Sequence, residues 1–250
     1  MTPEKTFPEF KRNAVQPVEC LKQGWALVKD DYWLFFGISI LALIIGSMGP
    51  LGILMGAMMC GLNLAFLRKM AGQPIEFGML FKGFDYFADG FIAALLHYLP
   101  MIVIMAPFYI IMMIAQFGMM ASSSHGEANP AAALGFLSVF AICFPIMMIL
   151  LILLQVGFAF AYPLIVAQGL SGADAVKVSF KAGFANFWSL FGLLLLNGLL
   201  GFLGVICCYI GLLFVLPITF AAMFIAYSQV FGVVPQHRSP YPPPPPSSFG

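Results

Sequence analysis

The chain has 250 residues, 62% of them apolar and only 8% charged, with a formal net charge of +1. Soluble domains carry about a quarter charged residues, so this composition excludes a water-soluble globular fold and requires lipid as solvent. The near-neutral balance leaves no basic face for nucleic acid and implies no polyanionic partner.

The first 31 residues are polar, with no uncharged core before Tyr32. They do not read as a cleaved signal peptide, so residues 1–16 are expected to be a cytoplasmic segment and the first apolar stretch a retained targeting signal. Six apolar segments follow, at 33–48, 51–67, 90–119, 131–168, 188–206 and 209–231. A span takes about 20 residues. The first segment is short, rising only about 24 Å as a helix, and Gly49, Pro50, Leu51 and Gly52 make the turn after it. A re-entrant hairpin therefore competes with two full spans. Full spans are preferred, because lipid-facing turns are not tolerated at mid-membrane and Trp33 suits an interfacial anchor. Pro100 and Pro107 interrupt the third segment, and Pro145 and Pro163 the fourth. Each removes a backbone hydrogen bond and predicts a kink.

All 11 lysines and arginines, from Lys5 to Arg238, fall on one side of these segments. That asymmetry predicts a multi-pass membrane protein with both termini cytoplasmic. The loop Ala121 to Pro130 carries the one acid expected on the outer side, Glu127. Residues 233–250, with five consecutive prolines from Pro242 to Pro246, read as a disordered, polyproline-prone cytoplasmic tail.

A shift of 155 positions lays the first hairpin on the last. Lys22 meets Lys177, Trp33 meets Trp188, Phe36 meets Phe191 and Gly46 meets Gly201. A fainter third copy starts near Leu80, where LFKGFDYFADGF precedes the middle pair. The expected fold is thus all-α: a single membrane domain over 17–232 with repeat-like units near 17–69, 75–168 and 171–231. Each unit is a cytoplasmic interfacial helix followed by a hairpin, and the repeats run parallel. Ser171 and Asp174 form a capping box opening one such helix, and Gly169 ends the helix before it. Ala173, Val176, Phe180, Phe184 and Phe187 recur at helical spacing and predict its apolar face. Lys22, Lys82, Lys177 and Lys181 are candidate contacts with anionic headgroups.

No Asp, Glu, Lys or Arg stands in the central parts of the six segments. Catalysis and charge movement at membrane depth need such groups, so neither an acid–base enzyme nor a proton-driven pump is expected. The intramembrane polar set is thin. Asn63, His97, Gln155 and Asn197 are its candidate contacts, with Gln116 and a few hydroxyls beside them. Met55, Met58, Met59 and Cys60 offer soft donors that suit Cu(I), but no cysteine or histidine pair supports them, and methionine also fills irregular cores. No catalytic, cofactor or metal residues are assigned. Among five cysteines only Cys207 and Cys208 adjoin, and a bridge between neighbours is strained. Gly52-x-x-x-Gly56 is a helix-contact motif, weak by itself.

Two stretches carry a resemblance: Gly78 to Ala88 (GMLFKGFDYFA), and Ala161 to Gly183 (AYPLIVAQGLSGADAVKVSFKAG) followed by CYIG and AYSQVFG. They resemble a broad group of uncharacterised bacterial six-helix membrane proteins, similar to the membrane region attached to some glycerophosphodiester phosphodiesterases, over about residues 17–232. Members often carry an acid where Ala167 or Gln168 stands and an arginine near Ser228. The phosphodiesterase catalytic domain has no counterpart in this sequence, so the resemblance implies architecture and a place in the bacterial inner membrane, and no activity. The expected function is a non-enzymatic membrane organiser or partner-binding scaffold, its partners being the bilayer and a membrane protein or a second copy. The alternative is a carrier or channel for a neutral or lipidic solute. Convergence of Asn63, His97, Gln155 and Asn197 on one cavity would favour the alternative; separate pairing between helices would favour the scaffold.

Overall fold

The computed structural model describes residues 8–48, 52–122, 129–206 and 210–232. Among them the chain is helical and has no strand. Helix α1 (Pro17–Val28) leads through a 3-10 turn (Lys29–Asp31) into α2 (Tyr32–Ser47), which pairs with α3 (Ile53–Met70). A longer 3-10 helix (Phe77–Tyr86) runs into α4 (Phe87–Ala121), followed by α5 (Pro130–Phe158), α6 (Ala161–Gln168), α7 (Gly172–Ala185), α8 (Phe187–Ile206) and α9 (Ile210–Phe231). The outer turn at 49–51, the loop at 123–128, Cys207, Cys208 and the proline-rich tail lie outside the described residues.

Five helical stretches are long and apolar enough to cross a membrane: Ile53–Met70, Phe77–Ala121, Pro130–Gln168, Phe187–Ile206 and Ile210–Phe231. The protein is therefore a membrane protein. Helix α2, with 16 residues, is shorter than any of them. Nine described lysines and arginines, from Lys11 to Lys181, lie at the end of the molecule that carries α1, α7 and the 3-10 helices.

Three hairpins, α2–α3, α4–α5 and α8–α9, stand in a ring, with α3 against α4, α5 touching α8, and α9 against α2. At the cation-bearing end, α1 lies on α9, the 3-10 helix on α3, and α7 on α5. These approaches are close. A Cβ on Gly83 would strike the Ala57 carbonyl and the Gly61 backbone, and one on Gly24 would sit 2.8 Å from Ala222 N. Small residues let the backbones meet where lipid supplies no hydrophobic drive between helices. Gly56, the second glycine of the contact motif, presses likewise on Gly90 of α4. Inside, Phe35 of α2 stacks on Phe66 of α3 at 5.1 Å, and Phe66 meets Phe224 of α9 at 5.7 Å.

The local signals around α7 hold. Ser171 accepts from Asp174 N at 3.4 Å and donates to its carboxylate at 2.8 Å, and Gly169 ends α6 with φ of 63°. The buried face shares Val176 with the expected one, and Phe180 packs on Phe158 at 5.1 Å, but the rest differs. It comprises Ala175, Val176, Val178, Ser179, Ala182 and Gly183, whereas Phe184 is exposed. Small residues pack this helix into the bundle and a large aromatic points outward.

The fourth apolar segment is two helices. Pro163 has no N–H and its ring crowds the carbonyl of Ala159, four residues back, where α5 gives way to α6. Ser179 of α7 repairs the break. Its hydroxyl accepts from Phe160 N at 3.0 Å and donates to the Gly157 carbonyl at 2.6 Å. By contrast α4 remains helical through Pro100 and Pro107, and α5 through Pro145.

Residues 8–16 do not hang free. Buried Asn186 accepts from Ala14 N at 2.9 Å and donates to the Lys11 carbonyl at 3.0 Å. Gln229 accepts from Gln16 N at 2.9 Å, and Lys11 N donates to the Val230 carbonyl at 2.9 Å. The segment is a strap joining the α7–α8 corner to the end of α9.

Candidate functional site: a central intramembrane cavity

The ring of hairpins encloses a cavity of about 450 Å³. Leu43 of α2, Leu194 of α8 and Phe220, Met223 and Phe224 of α9 form one wall. Met55, Met59, Leu62, Asn63 and Phe66 of α3 form another. His97 and Tyr98 of α4, and Gln155, Phe158, Ala159, Tyr162 and Pro163 around the α5–α6 break, complete it. The break positions this third wall, because an unbroken helix would carry Tyr162 and Pro163 along a different line. Ser179, which satisfies the freed backbone groups, thus supports the cavity without lining it.

The lining is apolar and aromatic with a few polar groups, and its volume falls in the range of about 300–1,000 Å³ usual for small-molecule sites. Asp, Glu, Lys and Arg take no part in it. Asn63 spends its amide N–H on the Met59 carbonyl of its own helix at 2.8 Å. The His97 ring packs against Phe158 at 4.6 Å and against Tyr98 at 5.8 Å. Its Nδ1 is buried and has no hydrogen-bond partner. An unmet buried nitrogen costs about 1–3 kcal/mol. Gln155 is exposed as well as lining, so the cavity reaches the surface beside α5.

Three of the four candidate intramembrane residues, Asn63, His97 and Gln155, therefore share one cavity. Asn197 does not. It lies one turn beyond Leu194 on α8, and its buried Oδ1 has no partner. Gln116 is exposed on α4 and belongs to no buried set. Met55 and Met59 line the cavity as apolar filler, and Met58 and Cys60 are buried among other residues. No group of three metal-ligating side chains occurs among the described residues. Sequence reasoning passed over Tyr98 and Tyr162, and passed over Ser179.

Lys22, Lys82, Lys177 and Lys181 do not form one site. All four are exposed, Lys22 on α1, Lys82 on the 3-10 helix and the others on α7, where Lys177 lies 3.8 Å from Asp174. No family model, curated protein or solved structure matches the chain.

Proposed function

We propose that the protein holds a neutral, lipid-like solute with a small hydrogen-bonding head in the central cavity, as a carrier would. One observation carries this: Asn63, His97 and Gln155, on three different helices, meet on a single cavity whose walls are otherwise apolar or aromatic. An apolar chain suits the walls, and the polar side chains of Asn63, His97 and Gln155 offer hydrogen-bond partners to the head. The absence of charge from the lining fits a neutral ligand, because an ion would meet no countercharge there. Reading the cation-bearing end as cytoplasmic makes this a multi-pass inner-membrane protein with both termini inside.

The architecture proposed for this task is a threefold repeat. Its support is that Pro17 and Gly172 open α1 and α7, and Tyr32 and Phe187 open α2 and α8, 155 residues apart in both cases. In addition, each of α1, the 3-10 helix and α7 docks on the last membrane helix of the unit before it, if the units are taken around the ring. A cavity at the centre of such a ring draws on every hairpin.

A fatty alcohol bearing a photoreactive diazirine tests the ligand reading in reconstituted vesicles. Adducts on Tyr98, Phe158 and Tyr162, competed by unlabelled alcohol and abolished when Met59→Trp fills the cavity, are expected. Adducts confined to the outer faces of α4 and α5, unchanged by Met59→Trp, would overturn it.

The organiser reading draws on a different observation. Beyond the bundle, α4 and α5 expose Val103, Ile110, Ile114, Leu137 and Ile142, a surface for lipid or a neighbouring helix. Single cysteines at Val103 and Ile142 that cross-link between copies in the membrane would support it.

A further inference from the structure

A second groove, of about 300 Å³, lies at the cation-bearing end between the close of α3 and the 3-10 helix. Arg68 and Lys82 line it with Pro74, Glu76, Gly78 and Met79. Arg68 leaves the last turn of α3, and its Nε is buried with no hydrogen-bond partner. Lys69 beside it is already committed to Asp31. Neither Arg68 nor Lys82 has a carboxylate at ion-pair distance among the described residues. Glu76 lines the groove without pairing to either, so the lining keeps one excess positive charge.

The surroundings define depth. The 3-10 helix runs without interruption into α4, a membrane-crossing helix, and exposes Phe77, Phe81 and Phe84 around Lys82. Exposed aromatics next to a cation mark the level where headgroups meet acyl chains. An unpartnered guanidinium N–H is costly when buried, and a phosphate oxygen is the acceptor arginine suits best.

We propose that this groove binds a phosphate group, supplied by the headgroup of an anionic phospholipid. Arg68 and Lys82 supply the two positive charges that hold the phosphate, and the phenylalanines sit beside the acyl chains. The site goes beyond the cavity reading and stands without it, since no residue is shared.

Native mass spectrometry of the full chain in detergent, titrated with phosphatidylglycerol or phosphatidylcholine, tests it. One phosphatidylglycerol should bind in preference to phosphatidylcholine. At about 1 kcal/mol per cation near a membrane surface, Lys82→Gln and Arg68→Gln should each weaken it about fivefold or more. Glu76→Gln should strengthen binding, a gain that misfolding cannot mimic. Lys29→Gln, on an exposed turn, and Met59→Trp, in the cavity, should leave it unchanged. Equal affinity for both lipids, or wild-type affinity in both Lys82→Gln and Arg68→Gln, would overturn the site. Displacement of the lipid by millimolar inorganic phosphate would assign the groove to free phosphate and overturn the lipid as its source.

Discussion

The cation-bearing end, amphipathic and charged, and the strongly apolar stretch of the α4–α5 hairpin from Ile102 to Leu150, here the arm, are held together in opposite ways. At the first, backbones touch through glycines, and polar side chains finish the hydrogen bonding of other segments: Ser179 at the α5–α6 break, Asn186 and Gln229 on the strap, and Asp89, which accepts from Gly172 N at 2.9 Å. Along the arm, α4 and α5 touch each other and large apolar side chains face outward. Lipid solvates the arm as well as protein would, so burial gives it little reason to pack further. At the aqueous end the same chain has polar backbone to satisfy, and that need fixes the arrangement.

The sharpest way to break this contrast is to add bulk at one glycine in each region. Gly83→Leu drives a side chain into the Ala57 carbonyl and the Gly61 backbone, which rigid helices cannot yield. It is expected to cost about 3 kcal/mol or more, the upper range for overpacking. Gly118→Leu on the arm meets nothing within 4 Å and should stay within about 0.5 kcal/mol, as for an unconstrained surface site. Reversible unfolding in mixed micelles measures both. Comparable losses would show that the arm is packed as tightly as the ring.

A somewhat smaller effect is expected at Ser179. Ser179→Ala leaves Phe160 N and the Gly157 carbonyl buried without partners, which together should cost about 2–4 kcal/mol. The loss should also loosen the third wall of the cavity, so photolabelling at Tyr162 should fall while labelling on the arm persists. A silent Ser179→Ala would mean that other groups satisfy the break.

Much of the helical plan was legible in the sequence, because apolar length, capping and proline position are local signals. Ser171, Asp174 and Gly169 marked α7 and the end of α6 correctly, since a cap needs only its own neighbours. The buried face of α7 was only partly legible from hydrophobicity, at Val176 and Phe180. Phe184 faces out and Ala175, Ser179 and Ala182 face in, because the close approach to α5 admits only small side chains there. A stripe of small residues at helical spacing was the available signal. Ser179 itself escaped notice because its partners are backbone groups freed by Pro163, in a different helix. The cavity was half legible: Asn63, His97 and Gln155 stood out as rare polar residues, but only the folded chain separates them from Asn197, one turn too far along α8.

The cation-bearing end also makes a thiol prediction, a smaller effect that needs no disruption of the fold. Cys20 of α1 is fully buried, and its thiol donates to Gln229 Oε1 at 3.3 Å. Burial pushes its pKa from 9.0 up to about 11. Cys143, on the arm, is only partly buried. The thiolate is the nucleophile, so N-ethylmaleimide at pH 8 should spare Cys20 in the folded protein. Raising the pH toward 11 should bring Cys20 into reaction. Stability follows the same linkage. Between pH 9 and about 11 the folded state keeps a proton on Cys20 that the unfolded chain has released. The contribution of the neutral thiol is therefore intact below pH 9 and is lost as pH climbs through that window. Cys20→Ser and Cys20→Ala should abolish this alkaline component, whereas Cys143→Ala should leave it in place. Rapid labelling of Cys20 at pH 8 would mean that α1 lifts from α9 readily, and that the cation-bearing end is no more firmly assembled than the arm.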